Sequence, residues 1–353
     1  MTEQQPFEGP AVPPSALGPS ADPAIRSAAA RSAAGQPPST ADPTRLDAAL
    51  TTLELTVRRR LDGLLQGNHL GLVPGPGTEP GDARPYYPGD DVRRMDWSVT
   101  ARTTEPHIRQ TVADRELETW LVADLSASLD FGTVGCEKRD LVVAAAAAVG
   151  HLTRGGGNRI GAIVASGSKL SRIPARGGRP HLEHLLRTLA TNPRALPGDR
   201  GDLRTAMEQL RRPPRRRGLA VIISDFIGPV DWERPLRGLS ARHDLLAVEV
   251  IDPRDLELPA VGLVTLVDPE TGRTKEVSTS AALRAAFGKA AAEHRAEVAA
   301  ALRRAGAAQL TLRTDGDWIG EVLRFIVGRK RGWTGAAAPG TPNRTPRGGE
   351  AWQ

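Results

Sequence analysis

Between Leu117 and Asp130 the chain reads LETWLVADLSASLD, and this stretch constrains the fold more than any other. Its first half is apolar, and it ends in oxygen: Asp124, Ser126 and Ser128 stand at every second position. A short apolar run bounded by polar residues fits a buried strand. The three oxygen-bearing side chains then fall in one loop at the strand's carboxyl end. One carboxylate and two hydroxyls make half of a hard-cation site, since Mg²⁺ takes oxygen ligands, keeps several waters and uses few carboxylates. The other reading is a turn in which Asp and Ser cap the next helix. Spacing alone leaves both open.

From residue 117 to 330 strand-like and helix-like segments alternate. Strands are expected at Arg159–Ala165, Ser168–Pro174, Leu219–Phe226, Asp244–Ile251, Leu263–Asp268 and Gln309–Arg313. Helices are expected at Glu137–Arg154, Arg179–Leu189, Asp202–Leu210, Trp232–Ala241, Ala281–Ala305 and Asp317–Val327, with Asp202 suited to an N-cap. Short strands rich in Val and Ile, separated by helices, argue for an α/β fold: a doubly wound, mainly parallel, Rossmann-like sheet covered on both faces. Such sheets bind ligands beyond the carboxyl ends of their strands, where strand order reverses. Asp225, in IISDF, stands at a second such end.

Ahead of this domain, residues 1–43 are rich in Pro, Ala, Ser and Gly and read as a disordered tail. Residues 44–116 form a smaller N-terminal region of helix and extended chain. In it Arg45–Leu65 has apolar residues at helical spacing: Leu46, Leu53, Leu55, Val57, Leu61 and Leu64. Mixed charge and no aromatic anchor favour packing on its own domain, with peripheral membrane contact as the alternative. Gly67–Pro80 reads as a loop. Ala83–Thr103 is dense in acidic and Arg residues around Pro88–Gly89, and its Trp97 is expected to supply apolar bulk. Pro106–Ala113 reads as an edge or connecting strand, with His107 structural. Residues 331–353 read as a disordered basic tail.

One Cys, Cys136, excludes a disulfide framework and a thiolate metal cluster. The opening MTEQQPFEGP lacks a positive stretch followed by an apolar run, so no secretory signal is expected. No run reaches the ~20 apolar residues that span a bilayer, and a cytoplasmic protein is the expectation. The net charge of +6 is mostly an excess of Arg, densest at Arg211–Arg217. Without interleaved aromatics this cluster reads as a solvated loop, with an anionic docking surface as the alternative ahead of nucleic acid.

Several enzyme classes fit poorly. The first strand leads into DLSASLD, not a Gly-rich dinucleotide fingerprint, and GxxxxGK with Ser or Thr is absent. GxSxG is absent too. A haloacid-type phosphatase would carry Asp where Ser126 stands. A metal-assisted phosphoesterase or nuclease using Asp124 and Asp225 remains as the enzymatic alternative.

The stretch Asp124, Ser126, Ser128 resembles the DxSxS of a von Willebrand factor type A domain and its metal-ion-dependent adhesion site. Tyr87, Pro88, Gly89, Asp90, Asp91, Arg93, Asp96 and Trp97, followed by Arg102, resemble the signature of the bacterial family called domain of unknown function 58. The resemblance runs from about Gly67 to Asp252. It implies that Asp124, Ser126, Ser128 and Asp225 hold Mg²⁺ or Mn²⁺, leaving one position for a partner's carboxylate. It further implies a non-enzymatic, adaptor or chaperone-like partner of a MoxR-type AAA+ ATPase acting on a client protein. One departure stands out. The family's second loop offers Thr, where this chain has Gly201, with Thr205 a turn further on. Losing a hydroxyl weakens such a site, with Asp202 as a compensating ligand. A structural interaction protein with a degenerate metal site is the remaining alternative.

Overall fold

The computed structural model describes residues 37–40, 45–65, 83–86, 95, 97–103, 105–109, 117–154, 157–196, 199, 201–211 and 218–335. The expectations for residues 1–36 and 41–43, the loop at 67–80, and Tyr87, Pro88, Gly89, Asp90, Asp91, Arg93 and Asp96 lie outside them. So do those for residues 212–217 of the basic cluster and 336–353 of the C-terminal tail.

A six-stranded sheet forms the middle layer. Its strands are β3 (Glu118–Asp124), β4 (Arg159–Ser166), β5 (Lys169–Arg176), β6 (Gly218–Ser224), β7 (His243–Ile251) and β10 (Ala308–Arg313), in spatial order β10-β7-β6-β3-β4-β5. All neighbours are parallel except β5, which returns antiparallel to β4 at the edge. The chain enters at the centre on β3, builds β4 and β5 to one side, then crosses to β6 on the other. Strand order therefore reverses between β3 and β6. Both strands are buried from end to end or nearly so, as expected for strands covered on both faces.

The two faces divide β3 residue by residue. Leu121 and Ala123 face α1 (Leu46–Leu65), α3 (Lys138–Thr153), α4 (Arg179–Ala190) and α9 (Trp318–Gly335). Trp120 and Val122 face α5 (Leu203–Arg211), α6 (Glu233–Leu239) and α8 (Ala281–Arg304). The alternation is the period-2 geometry of a strand.

Helix α3 is expected to be apolar on one side and is instead buried almost all round. The cause is α1, which packs across α3 and places Leu46, Leu53, Val57 and Leu61 in the same core. A helix covered on both sides must be apolar on both, and Ala144–Ala148 keep it thin enough to fit. At Gly150 a Cβ would lie 2.3 Å from Leu182 Cδ1, so the Leu182 side chain of α4 packs directly on the α3 backbone there. The helix of the N-terminal region thus belongs to the core of the α/β domain. Leu55 departs from the expected stripe and is exposed.

Two further expectations change. Within the expected tail, Thr40 is buried, and its N–H and Oγ1 donate to Asp140 Oδ1 at 2.6 and 2.8 Å. Helix α9 runs on to Gly335, into the stretch expected to be tail.

Two antiparallel pairs lie outside the main sheet: β1 (Ala83–Pro85) with β2 (His107–Arg109), and the hairpin of β8 (Leu263–Val267) with β9 (Thr274–Ser278). Trp97 opens the short helix α2 (Trp97–Thr103) and is 71% exposed, so it does not fill a core as expected. Arg102 is exposed on the same helix. His107 is held locally, its Nδ1 2.7 Å from Glu105 O.

Candidate functional site

The reversal between β3 and β6 brings Asp124 and Asp225 to one rim. Asp124 ends β3 and Asp225 follows β6 directly. Asp124 Oδ1 accepts from the Ser126 amide at 3.0 Å, and Oδ2 accepts from Ser224 Oγ at 2.7 Å. The Ser126 and Ser128 hydroxyls share a hydrogen bond at 3.2 Å. All three side chains of the first loop are buried. Burial first, and the Asp225 charge second, push Asp124 up to about 6.

Asp225 is set by a strained turn. Phe226 adopts φ +53°, a left-handed conformation that a bulky residue holds only when its surroundings enforce it. Those surroundings are Ser224 Oγ, which accepts from the Phe226 amide at 3.0 Å, His294 Nε2 at 3.0 Å from Phe226 O, and the Trp232 ring. Asp225 Oδ1 accepts from the Ile227 amide at 3.2 Å.

The first residue of α3 supplies a cation. The Lys138 side chain is 1% exposed, and its Nζ donates to Asp225 Oδ2 at 2.8 Å and to Asp255 at 3.1 and 3.2 Å. Burial alone would lower the Lys138 pKa, but the charges of Asp225 and Asp255 outweigh it and hold the ammonium above its ordinary value. For Asp255, in helix α7 (Pro253–Leu256), burial outweighs the Lys138 charge and raises the carboxyl. Two carboxylates, Asp225 and Asp255, thus share one ammonium.

Behind this cluster the rim is pinned by Asp252. Its carboxylate accepts from Thr133 N–H at 2.9 Å and Oγ1 at 2.6 Å, from Thr314 Oγ1 at 2.7 Å and from the Arg254 amide at 2.9 Å. Burial opposes the charge there, but these bonds together hold the Asp252 pKa below its ordinary value.

Gly201 stands against the cluster. A Cβ placed on it would lie 2.8 Å from Ser126 Cβ, 3.4 Å from Ser126 Oγ and 3.6 Å from Asp124 Oδ1. The second loop therefore comes to the place where the resemblance puts Thr, but so closely that a side chain would collide. Two carboxylates hold the loop: Asp199 Oδ1 accepts from the Ser168 amide at 2.7 Å, and the Gly201 amide donates to Glu270 Oε2 at 3.0 Å. Asp202 is exposed, and its Oδ1 accepts from the Thr205 amide at 2.7 Å. That is the capping role its sequence suggests.

Asp124, Ser126, Ser128 and Asp225 are therefore brought together, while Asp202 stands on a helix start beside them. Sequence reasoning missed Ser224, Lys138, Asp255 and Glu270. Ser224 had a signal, standing next to Asp225. The donors facing the cluster are oxygens, the chemistry a hard cation takes. Among the described residues no three His, Cys, Asp or Glu side chains converge. A divalent ion here would draw on the two hydroxyls and on water as well as on carboxylate.

Exposed apolar side chains stand in the segments that follow the strands, Phe131 and Val134 after β3, Leu196 before α5, Ile227 after β6 and Val261 after β7, and Leu263, Leu266 and Val267 are exposed on β8. No helix among the described residues is long and apolar enough to cross a membrane.

The chain is 62% identical over 291 residues to uncharacterized protein Rv1480 of Mycobacterium tuberculosis and to uncharacterized protein Mb1516 of Mycobacterium bovis, covering 82% of this chain and 92% of each relative. Among solved structures, an aerotolerance-related membrane protein from Bacteroides fragilis overlaps at a TM-score of 0.37 and 13% identity, covering 60% of this chain and 99% of that one. The conserved hypothetical protein BatB from Bacteroides thetaiotaomicron overlaps at 0.33 and 12%, covering 61% and 99%. Overlap at that level says nothing of function. The profile of the family described as protein of unknown function DUF58 matches residues 82–297, and the chain belongs to that family.

Proposed function

We propose that this protein is a non-enzymatic recognition module whose rim, at the carboxyl ends of β3 and β6, takes an acidic segment of a partner protein with the help of a divalent cation. One observation carries the reading: Asp124, Ser126 and Ser128 meet Asp225 at the reversal of strand order, with Gly201 against them. The oxygen-only donor set fits Mg²⁺ or Mn²⁺. Asp124, Ser126 and Ser128 would hold it, with Asp225 alongside. Bound there, the ion would offer a coordination position to a partner's carboxylate. The chain's own contribution is placement: the Phe226 turn aims Asp225, and Ser224 orients Asp124. Resemblance to the family makes a MoxR-type AAA+ ATPase the partner class to test, with the chain as adaptor between that ATPase and a client.

A second reading has its own observation. Lys138 already places a cation on Asp225, and Gly201 leaves no room for the second-loop hydroxyl. On this reading the metal site is degenerate, and an interaction surface remains on a rim neutralised from within.

Capture of a co-purified AAA+ ATPase by wild type and Asp124→Ala, with and without Mg²⁺, tests the first reading. Capture that needs both Mg²⁺ and Asp124 supports it, and equal capture in every arm refutes the metal dependence. Calorimetric titration with Mn²⁺ to millimolar concentration separates the two: heat of binding favours the first and its absence the second.

A further inference from the structure

We infer that the Gly201 backbone amide is a docking point for a carboxylate, and that Glu270 occupies it as an internal competitor for an acidic residue of a partner protein. This inference rests on the recognition role proposed above.

The Gly201 N–H donates to Glu270 Oε2 at 3.0 Å. The same glycine lies against Ser126 and Asp124 on its other side, where a Cβ would come within 3.6 Å of Asp124 Oδ1. A carboxylate on this amide is therefore one residue's breadth from the oxygen cluster. The chain thereby shows which chemistry the position accepts, because it has placed a Glu there itself.

Two features make Glu270 a displaceable occupant. Its second oxygen, Oε1, is shut from solvent and has no hydrogen-bond partner among the described residues, so the carboxylate is only half satisfied. It also sits at the tip of the β8–β9 hairpin, which is not a strand of the central sheet. A two-stranded hairpin is marginal alone. The tip holds its own shape, the Glu270 amide donating to Asp268 Oδ1 at 3.0 Å and the Gly272 amide to Asp268 O at 2.8 Å. Because the hairpin is no part of the central sheet, its displacement would break no pairing of β3 or β6. The same hairpin exposes Leu263, Leu266 and Val267. The occupant that fits is a peptide segment with Glu or Asp next to apolar side chains.

The experiment uses the full chain as wild type, Glu270→Gln and Glu270→Ala, and a fluorescein-labelled hexaglutamate peptide as the probe. Anisotropy is read with and without Mn²⁺. Glu270→Ala is expected to bind the peptide at least tenfold more tightly than wild type. Glu270→Gln falls between them, because its amide oxygen still accepts from Gly201. Hydrogen exchange in Glu270→Ala is expected to quicken at residues 199–203 and 268–273, with β3 and β6 unchanged. Equal peptide binding in wild type and Glu270→Ala, binding in no variant, or unchanged exchange at Gly201 overturns the inference. Mn²⁺ uptake, read separately by paramagnetic resonance, tests the cation reading alone. If no Mn²⁺ binds but Glu270→Ala still gains the peptide, the cation reading fails and the docking amide stands.

Discussion

Ser224 Oγ donates to Asp124 Oδ2 at 2.7 Å and accepts from the Phe226 amide at 3.0 Å, so one hydroxyl ties the end of β3 to the strained turn after β6. Ser224→Ala leaves a buried amide and a buried carboxylate oxygen without this partner. The expected loss is about 1–3 kcal/mol in urea unfolding. A loss under about 0.5 kcal/mol would mean that the two loops hold their positions independently.

Lys138 predicts a larger effect. Lys138→Met leaves the buried Asp225 and the half-buried Asp255 without their cation. Breaking a buried pair from one side costs about 3–5 kcal/mol. Because the variant's rim lacks its internal cation, millimolar Mg²⁺ is expected to raise its melting temperature more than that of wild type. Equal shifts would place the ion away from Asp225.

Restoring the family's hydroxyl is expected to fail. In Gly201→Thr the new Cβ starts 2.8 Å from Ser126 Cβ, and overpacking of that kind costs about 1–3 kcal/mol. Mn²⁺ affinity, followed by paramagnetic resonance, is expected to fall below wild type. A gain in affinity at unchanged stability would show that the second loop moves to accommodate a side chain.

Acid stability turns on Asp252. Its folded pKa lies below the unfolded value. Its contribution is therefore fully present above the unfolded value of about 3.9 and is lost as pH falls through the folded pKa. Asp252→Asn is expected to lose about 2–3 kcal/mol at pH 7, and less relative to wild type at pH 3. Parallel stability curves over that interval would assign the acid loss to other groups.

Thr40 gives a test of the N-terminal segment. Its two bonds to Asp140 join residues a hundred positions apart. Thr40→Ala is expected to lose about 1 kcal/mol. Equal melting temperatures for Thr40→Ala and wild type would make the contact energetically idle.

The inner strands β3, β4, β6 and β7 were readable because each is a short apolar run with polar ends, and Asp124 and Asp225 were readable because they stand at two of those ends. The pairing of Lys138 with Asp225 and Asp255 was not. It joins residues 87 and 117 positions apart, through a helix whose first residue looks like any solvated Lys. Helix α3 looked half exposed because nothing in its own residues announces that α1 lies across it. The first strand of the hairpin was visible as LVTLV, whereas its mate TKEVS is too polar to stand out. Glu270 was hidden for the same reason, since its partner is a backbone amide 69 residues away that carries no side-chain signature. Trp97 misled because aromatic bulk was read as burial, and a residue at the first turn of a seven-residue helix has little to pack against.

The antiparallel return of β5 has a consequence for how copies of the protein meet. A flank of sheet left open invites another chain to add a strand, and this one is guarded by Lys169, Arg172, Pro174 and Arg176. Pro174 offers no N–H, and the Arg172 guanidinium lies over the Trp120 ring, 4.6 Å from its centre. Sideways growth into ribbons is thereby discouraged on that flank, which keeps a protein with so much exposed apolar surface from stacking edge to edge.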